Sequence, residues 1–199
     1  LWDSASQQVD GSVKYLYGTF TPGKSYSATA FLEKLSNENE NKEAIARIYK
    51  FLKHKGDIKM LVVFDDSIKN TGGFYDSISH TIVLNSASSL FATNPEHTIL
   101  HELVHAITSI YLHKNKNVEK LLDTFVTDLY VRFVPRFTFG SPYGFKNSHE
   151  FISEYFTNPN FRELLKVLPA TNDLNIQDGY SDDLKSLISK MNISLDDGF

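Results

Sequence analysis

Cysteine is absent from the 199 residues. That excludes disulfide scaffolds, thiolate zinc fingers and cysteine nucleophiles together, and it leaves the redox compartment open. A basic excess is missing too. The 24 acidic and 20 basic residues give a formal charge of −4, whereas a nucleic-acid footprint needs a surplus of Lys and Arg. No uncharged apolar run approaches the ~20 residues that cross a bilayer, which predicts a soluble chain without a membrane span. The sequence opens at Leu1-Trp2-Asp3 with neither an initiator methionine nor a signal-peptide pattern. An excised domain or processed fragment of a larger parent chain is therefore expected. Secreted, delivered and cytoplasmic locations stay equally open.

Apolar material is plentiful. Hydrophobic residues make up 41% of the chain and aromatics 13%, including 15 Phe and 10 Tyr, enough for a packed core at the size of one ordinary domain. Val13 to Tyr17 alternates like a short strand. Ser27 to Leu35 and Asn41 to Leu52 read as helices, and Gly56 ends the second. Ile58 to Phe64 is a nearly continuous apolar run, as a buried strand shows. Gly72 to Ser77 reads as a turn leading into a second strand, Ser79 to Asn85. Thr93-Asn94-Pro95-Glu96 starts a helix expected to reach Leu112. A further helix fits Val118 to Phe133, with Leu121, Leu122, Phe125, Leu129 and Val131 on its apolar face. A loop over 134–147 precedes helices at 149–156, 160–167 and 182–191. The expected class is α+β, with a mainly helical N-terminal extension over 1–56 packed on a core domain over 57–199.

The chemistry lies in His101-Glu102-Leu103-Val104-His105. Histidines at i and i+4 share one helical face and can reach one ion, while Glu102, turned by about 100°, can reach a water bound to that ion. Chance supplies such a motif in a chain of this composition with odds of roughly one in a hundred. Ile99, Leu100, Leu103, Val104, Ala106 and Ile107 make the helix apolar, and polar groups buried in such a helix need partners. With no cysteine, the ion must be held by His, Asp and Glu, which suits one Zn2+ per chain. Thr108 and Tyr111 stand where a third-histidine extension would need Gly and His. The third ligand is then acidic. Glu119, Asp123 and Asp128 fit a solvated helix face. Glu150 and Glu154 stand at i and i+4 among bulky apolar residues, where two carboxylates repel unless a cation or donors hold them. One can bind the metal while the other accepts a proton from a ligand imidazole.

His101-Glu102-Leu103-Val104-His105 together with Glu150-Phe151-Ile152-Ser153-Glu154-Tyr155-Phe156 resembles the gluzincin metallopeptidases of the anthrax lethal factor type. The clostridial Pro-Pro endopeptidases share that catalytic domain. The resemblance covers residues 72–157, and Ile152 and Ser153 replace the family's commoner Phe-Ala. It implies a zincin-like fold, with a small mixed sheet over an active-site helix and a helical C-terminal half. It further implies zinc on His101, His105 and Glu150, with Glu154 behind a ligand. A catalytic tyrosine seven residues before the ligand Glu falls on Tyr143. The Gly72-Gly73-Phe74-Tyr75 stretch takes the place of the edge strand that pairs with an extended peptide or protein substrate. The segment from Glu150 to Pro159 is also similar to peptidase-like domains inside bacteriophage and mobile-element polyproteins. The activity implied is that of a zinc metalloendopeptidase. Two alternatives remain: a zinc-binding structural domain with a vestigial site, and a zinc hydrolase acting on a non-protein substrate.

Overall fold

Two short apolar runs make the middle of a sheet. Met60 and Val62 are buried in β4 (Lys59–Val63), and Ile82 and Leu84 in β6 (Thr81–Asn85), the alternation of strands that pack one face on a core. The computed structural model describes residues 11–35, 41–133 and 142–167. The chain is α+β, with small sheets followed by a helical C-terminal half. It divides into two compact units, Leu1–Ala106 and Ile107–Phe199.

The first unit opens with an antiparallel hairpin of β1 (Val13–Tyr15) and β2 (Gly18–Phe20). β3 (Ser25–Ser27) joins a four-stranded sheet with order β3-β4-β6-β5, where β5 is Gly73–Asp76. β4 and β6 run parallel and the outer pairs antiparallel, so the sheet is mixed. Residues 72–77, expected as a turn, thus contain a strand, and the turn proper spans 77–80. α1 (Ala28–Leu35) and α2 (Lys42–Lys55) pack on each other. Ile45, Ile48, Phe51 and Leu52 form the buried stripe of α2. Gly56, at φ 107°, ends that helix and donates its amide to the Leu52 carbonyl at 2.9 Å. Two short residues fasten α1. Ser27 Oγ accepts the Ala30 amide at 3.0 Å, and Asp57 Oδ1 accepts both the amide and the hydroxyl of Thr29 at 2.8 and 2.7 Å. Asp57 also accepts the Ile58 amide at 2.9 Å, so one carboxylate ties the start of α1 to the start of β4. α3 (Ser89–Thr93) leads into α4 (Pro95–Lys114).

The second unit is helical among the described residues: α5 (Lys116–Phe133), α6 (Ser148–Thr157) and α7 (Pro159–Val167). The apolar face of α5 differs from the one expected. Leu122, Val126 and Leu129 are buried, while Leu121 and Val131 are 46% and 65% exposed. Positions 122, 126 and 129 stack on one narrow face, and 121 and 131 fall outside it. Phe125, Phe145, Phe151 and Phe161 build an aromatic cluster with ring centroids 5.4–6.2 Å apart. The expected helix over 182–191 and part 134–141 of the expected loop lie outside the described residues. No helix among the described residues is long and apolar enough to cross a membrane.

Burial pushes the Asp57 carboxyl up, but hydrogen bonds from Ser27, Thr29 and Ile58 together outweigh it and hold the pKa below its ordinary value. A carboxylate lowered on folding stabilises the fold above its unfolded pKa of ~3.9, and the benefit goes as pH falls through the folded value. Asp57→Asn should therefore cost no more than about 1 kcal/mol at pH 7, because solvent screens the exposed carboxylate, read from urea midpoints. The gap from wild type should shrink below pH ~4; a gap of equal size at pH 3 would contradict this account.

Candidate metal centre

The first turns of α4 decide where its polar residues fall. Asn94 Oδ1 accepts the His97 amide at 3.1 Å, and Pro95 takes the first helical position, where its missing N–H costs nothing. From that start, Ile99, Leu100, Leu103, Val104 and Ala106 are buried, and so are His101 and Glu102 at 7% and 8% exposure. His105 is half-buried. The spacing expected to pair the two imidazoles does so. His101 Nε2 and His105 Nε2 stand 3.0 Å apart, with ring centroids at 4.6 Å. Two nitrogens on one tetrahedral zinc stand ~3.3 Å apart, so the pair needs little adjustment to share an ion. The His97 ring lies 5.9 Å from that of His101, one turn further up the helix. Among the described residues, histidines and glutamates form groups of three that could hold a metal ion, and His101 belongs to each.

Glu102 leaves the helix in another direction, toward β5. A Cβ built on Gly73 would lie 3.2 Å from Glu102 Cγ, 3.2 Å from Leu84 Cδ2 and 3.1 Å from the Val83 carbonyl oxygen. Gly72 is as tightly enclosed, by Leu90, the Phe91 amide and Thr98. β5 is an edge strand among the described residues, paired with β6 alone. The Asn85 amide donates to the Gly72 carbonyl at 2.9 Å, and Gly73 lies opposite Leu84. Antiparallel pairs alternate between bonded and unbonded. Phe74 and Asp76 therefore bond inward to β6, while the N–H and C=O groups of Gly73 and Tyr75 point to the open edge. Gly73 and Tyr75 also share the face that meets Glu102, and Phe74 lies on the other.

His80 belongs to none of the sequence motifs above. The structure pairs its Nδ1 with the Tyr75 hydroxyl at 2.5 Å and gives it a φ of 51°. Burial and then the charge of Asp76 push the Tyr75 hydroxyl above its ordinary pKa, so the phenol keeps its proton. The signal was the turn itself. Asp76 accepts the Ile78 amide at 3.0 Å and the Ser79 hydroxyl at 2.5 Å, an Asx turn that folds the chain back at His80.

In the second unit, Tyr143 opens a single 3₁₀ turn, Tyr143–Phe145. Its hydroxyl donates to Glu150 Oε1 at 2.9 Å, so the expected tyrosine and the expected acidic ligand meet. Asn147 was missed. Its Oδ1 accepts the Glu150 amide at 2.9 Å and caps α6, a role signalled by an Asn three residues before a Glu. Glu154 is buried and accepts the Asn158 side-chain amide at 2.6 Å. An open cleft of about 610 Å³ is lined by Val126, Tyr130, Tyr143 and Phe145, among others. No known protein family, curated protein or solved structure matches the chain.

Proposed function

We propose that the chain is a zinc-dependent metalloendopeptidase on a zincin-like scaffold, with one zinc held by His101, His105 and Glu150. The observation that carries this reading is the convergence of two Nε2 atoms at 3.0 Å on a buried helix. Two imidazoles and a carboxylate form the donor set of catalytic zinc sites that keep a fourth position open. Zinc, when bound, supplies Lewis-acid activation of water and of the carbonyl under attack.

The remaining work falls to the chain. Glu102 accepts the proton of the attacking water and returns it to the departing amine. Tyr143 donates its hydroxyl to the oxyanion of the tetrahedral intermediate. Its hydrogen bond to Glu150 and the 3₁₀ turn that carries it hold the hydroxyl in readiness. Glu154 accepts a proton from a ligand imidazole and so orients the ring. An extended peptide adds a strand at the open edge of β5, bonding to Gly73 and Tyr75. A substrate side chain beside Tyr75 then meets the Tyr75–His80 pair on the same face.

Two measurements test the reading in sequence. Metal analysis of purified protein should find one zinc per chain in wild type and none in His101→Ala or His105→Ala. A diverse peptide library read by mass spectrometry should then show cuts with zinc-loaded wild type. Glu102→Gln should slow them about 10²–10⁴-fold, and Tyr143→Phe about 10²–10³-fold. Zinc uptake without any cleavage would favour a structural zinc domain, and cleavage undiminished in Glu102→Gln would refute the mechanism.

A further inference from the structure

Gly73 has two faces, and they point to different tasks. Along the strand it presents N–H and C=O to the open edge, where a glycine lets another backbone come close. Across the strand it presents an α-hydrogen to Glu102. A methyl group there would press on three neighbours at once, at 3.1 to 3.2 Å. The Val83 carbonyl belongs to the central strand β6, and Leu84 is fully buried. Of the three, only the Glu102 stem is flexible enough to give way. Gly73 also lacks the positive φ of Gly11, Gly23 and Gly56, so conformational freedom is no reason for glycine at this position. The reason is room.

We propose that Gly73 is a positioning residue for Glu102: the absence of its side chain seats the carboxylate that acts as base, and its contribution to substrate docking is secondary. The proposal rests on the peptidase reading for its effect on turnover, but the contact itself can be tested without turnover. An added methyl group lies on the sheet face and leaves the edge N–H and C=O untouched. Gly73→Ala should thus spare substrate binding and displace Glu102 by a few tenths of an ångström. Misplacing a reacting group by 1 Å costs about 10²-fold, so a shift of this size should lower kcat roughly four- to tenfold.

Gly18→Ala is the control, because its Cβ would also be crowded, at 3.2 Å from Tyr15 Cε1, and it lies in the β1–β2 hairpin outside the proposed site. The expected result is a kcat loss confined to Gly73→Ala, with KM and zinc content unchanged. Peptide affinity, measured in a Glu102→Gln background, should also be unchanged by Gly73→Ala. Should Gly73→Ala prove too unstable to assay, a thermal-unfolding cycle on metal-free protein decides the contact. Glu102→Ala removes the colliding Cγ and should recover part of the melting temperature lost in Gly73→Ala, whereas additive losses would overturn the proposal. Equal kcat losses in the two glycine variants, or weaker peptide binding caused by Gly73→Ala, would overturn it as well. A wild type that cleaves nothing would defeat the peptidase reading and the role in turnover, while the unfolding cycle would still report on the contact.

Discussion

β5 approaches the corner of α3 and α4 across two consecutive glycines, and the geometry of the first unit follows from how little space is left there. At Gly72 the neighbours are Leu90, the Phe91 amide and Thr98; at Gly73 they are the Val83 carbonyl, Leu84 and Glu102. Side chains at these positions would hold the strand off the helix. Without them, β5 comes in close enough for Glu102 to lie directly under it. Antiparallel pairing then turns the polar groups of Gly73 and Tyr75 outward. Close approach thus brings the Glu102 stem against Gly73, and strand pairing sets which backbone groups the edge offers.

α4 carries a second tension. An apolar helix gains from burial at ~25 cal/mol per Å², while a polar group buried without a partner costs roughly 2–7 kcal/mol. His101 and Glu102 are buried in that helix all the same. Placing two imidazoles at i and i+4 lets each serve the other or a shared ion, and that makes the burial sustainable. In the second unit Tyr143 is exposed, and packing and capping position the polar groups instead. Gly144 leaves no room for a side chain beside the Phe161 ring, Asn147 caps α6, and Tyr143 and Glu150 answer one another at 2.9 Å. Polar side chains held by aromatic packing and a helix cap arrive already oriented, which lowers the cost of using them.

Local features of the fold were largely legible in the residue order. Gly56 ending α2, Asn94-Pro95 starting α4 and the two apolar strands are decided within a few residues by capping, φ and periodicity. The i, i+4 histidines were legible for the same reason, since a helix repeats itself over that distance. The apolar face of α5 was misjudged at Leu121 and Val131, because an apolar residue count does not say which stripe the neighbours cover. The start of β5 was read as a turn because Gly73 and the preceding Gly72 resemble turn formers. They are glycines because of what packs on them, not because the chain bends.

The sequence by itself determined which side chains are available to a metal ion and their spacing: no thiolate, two imidazoles one helical turn apart, and a carboxylate beside the first of them. These are properties of composition and helical repeat, and no packing partner is needed to state them. Tertiary structure alone decided that Glu102 rests against Gly73, that His80 completes Tyr75, and that β5 presents Gly73 and Tyr75 at its open edge. Each depends on a contact or a register between segments, and strand register is set by pairing and by the closeness of approach that side chains permit.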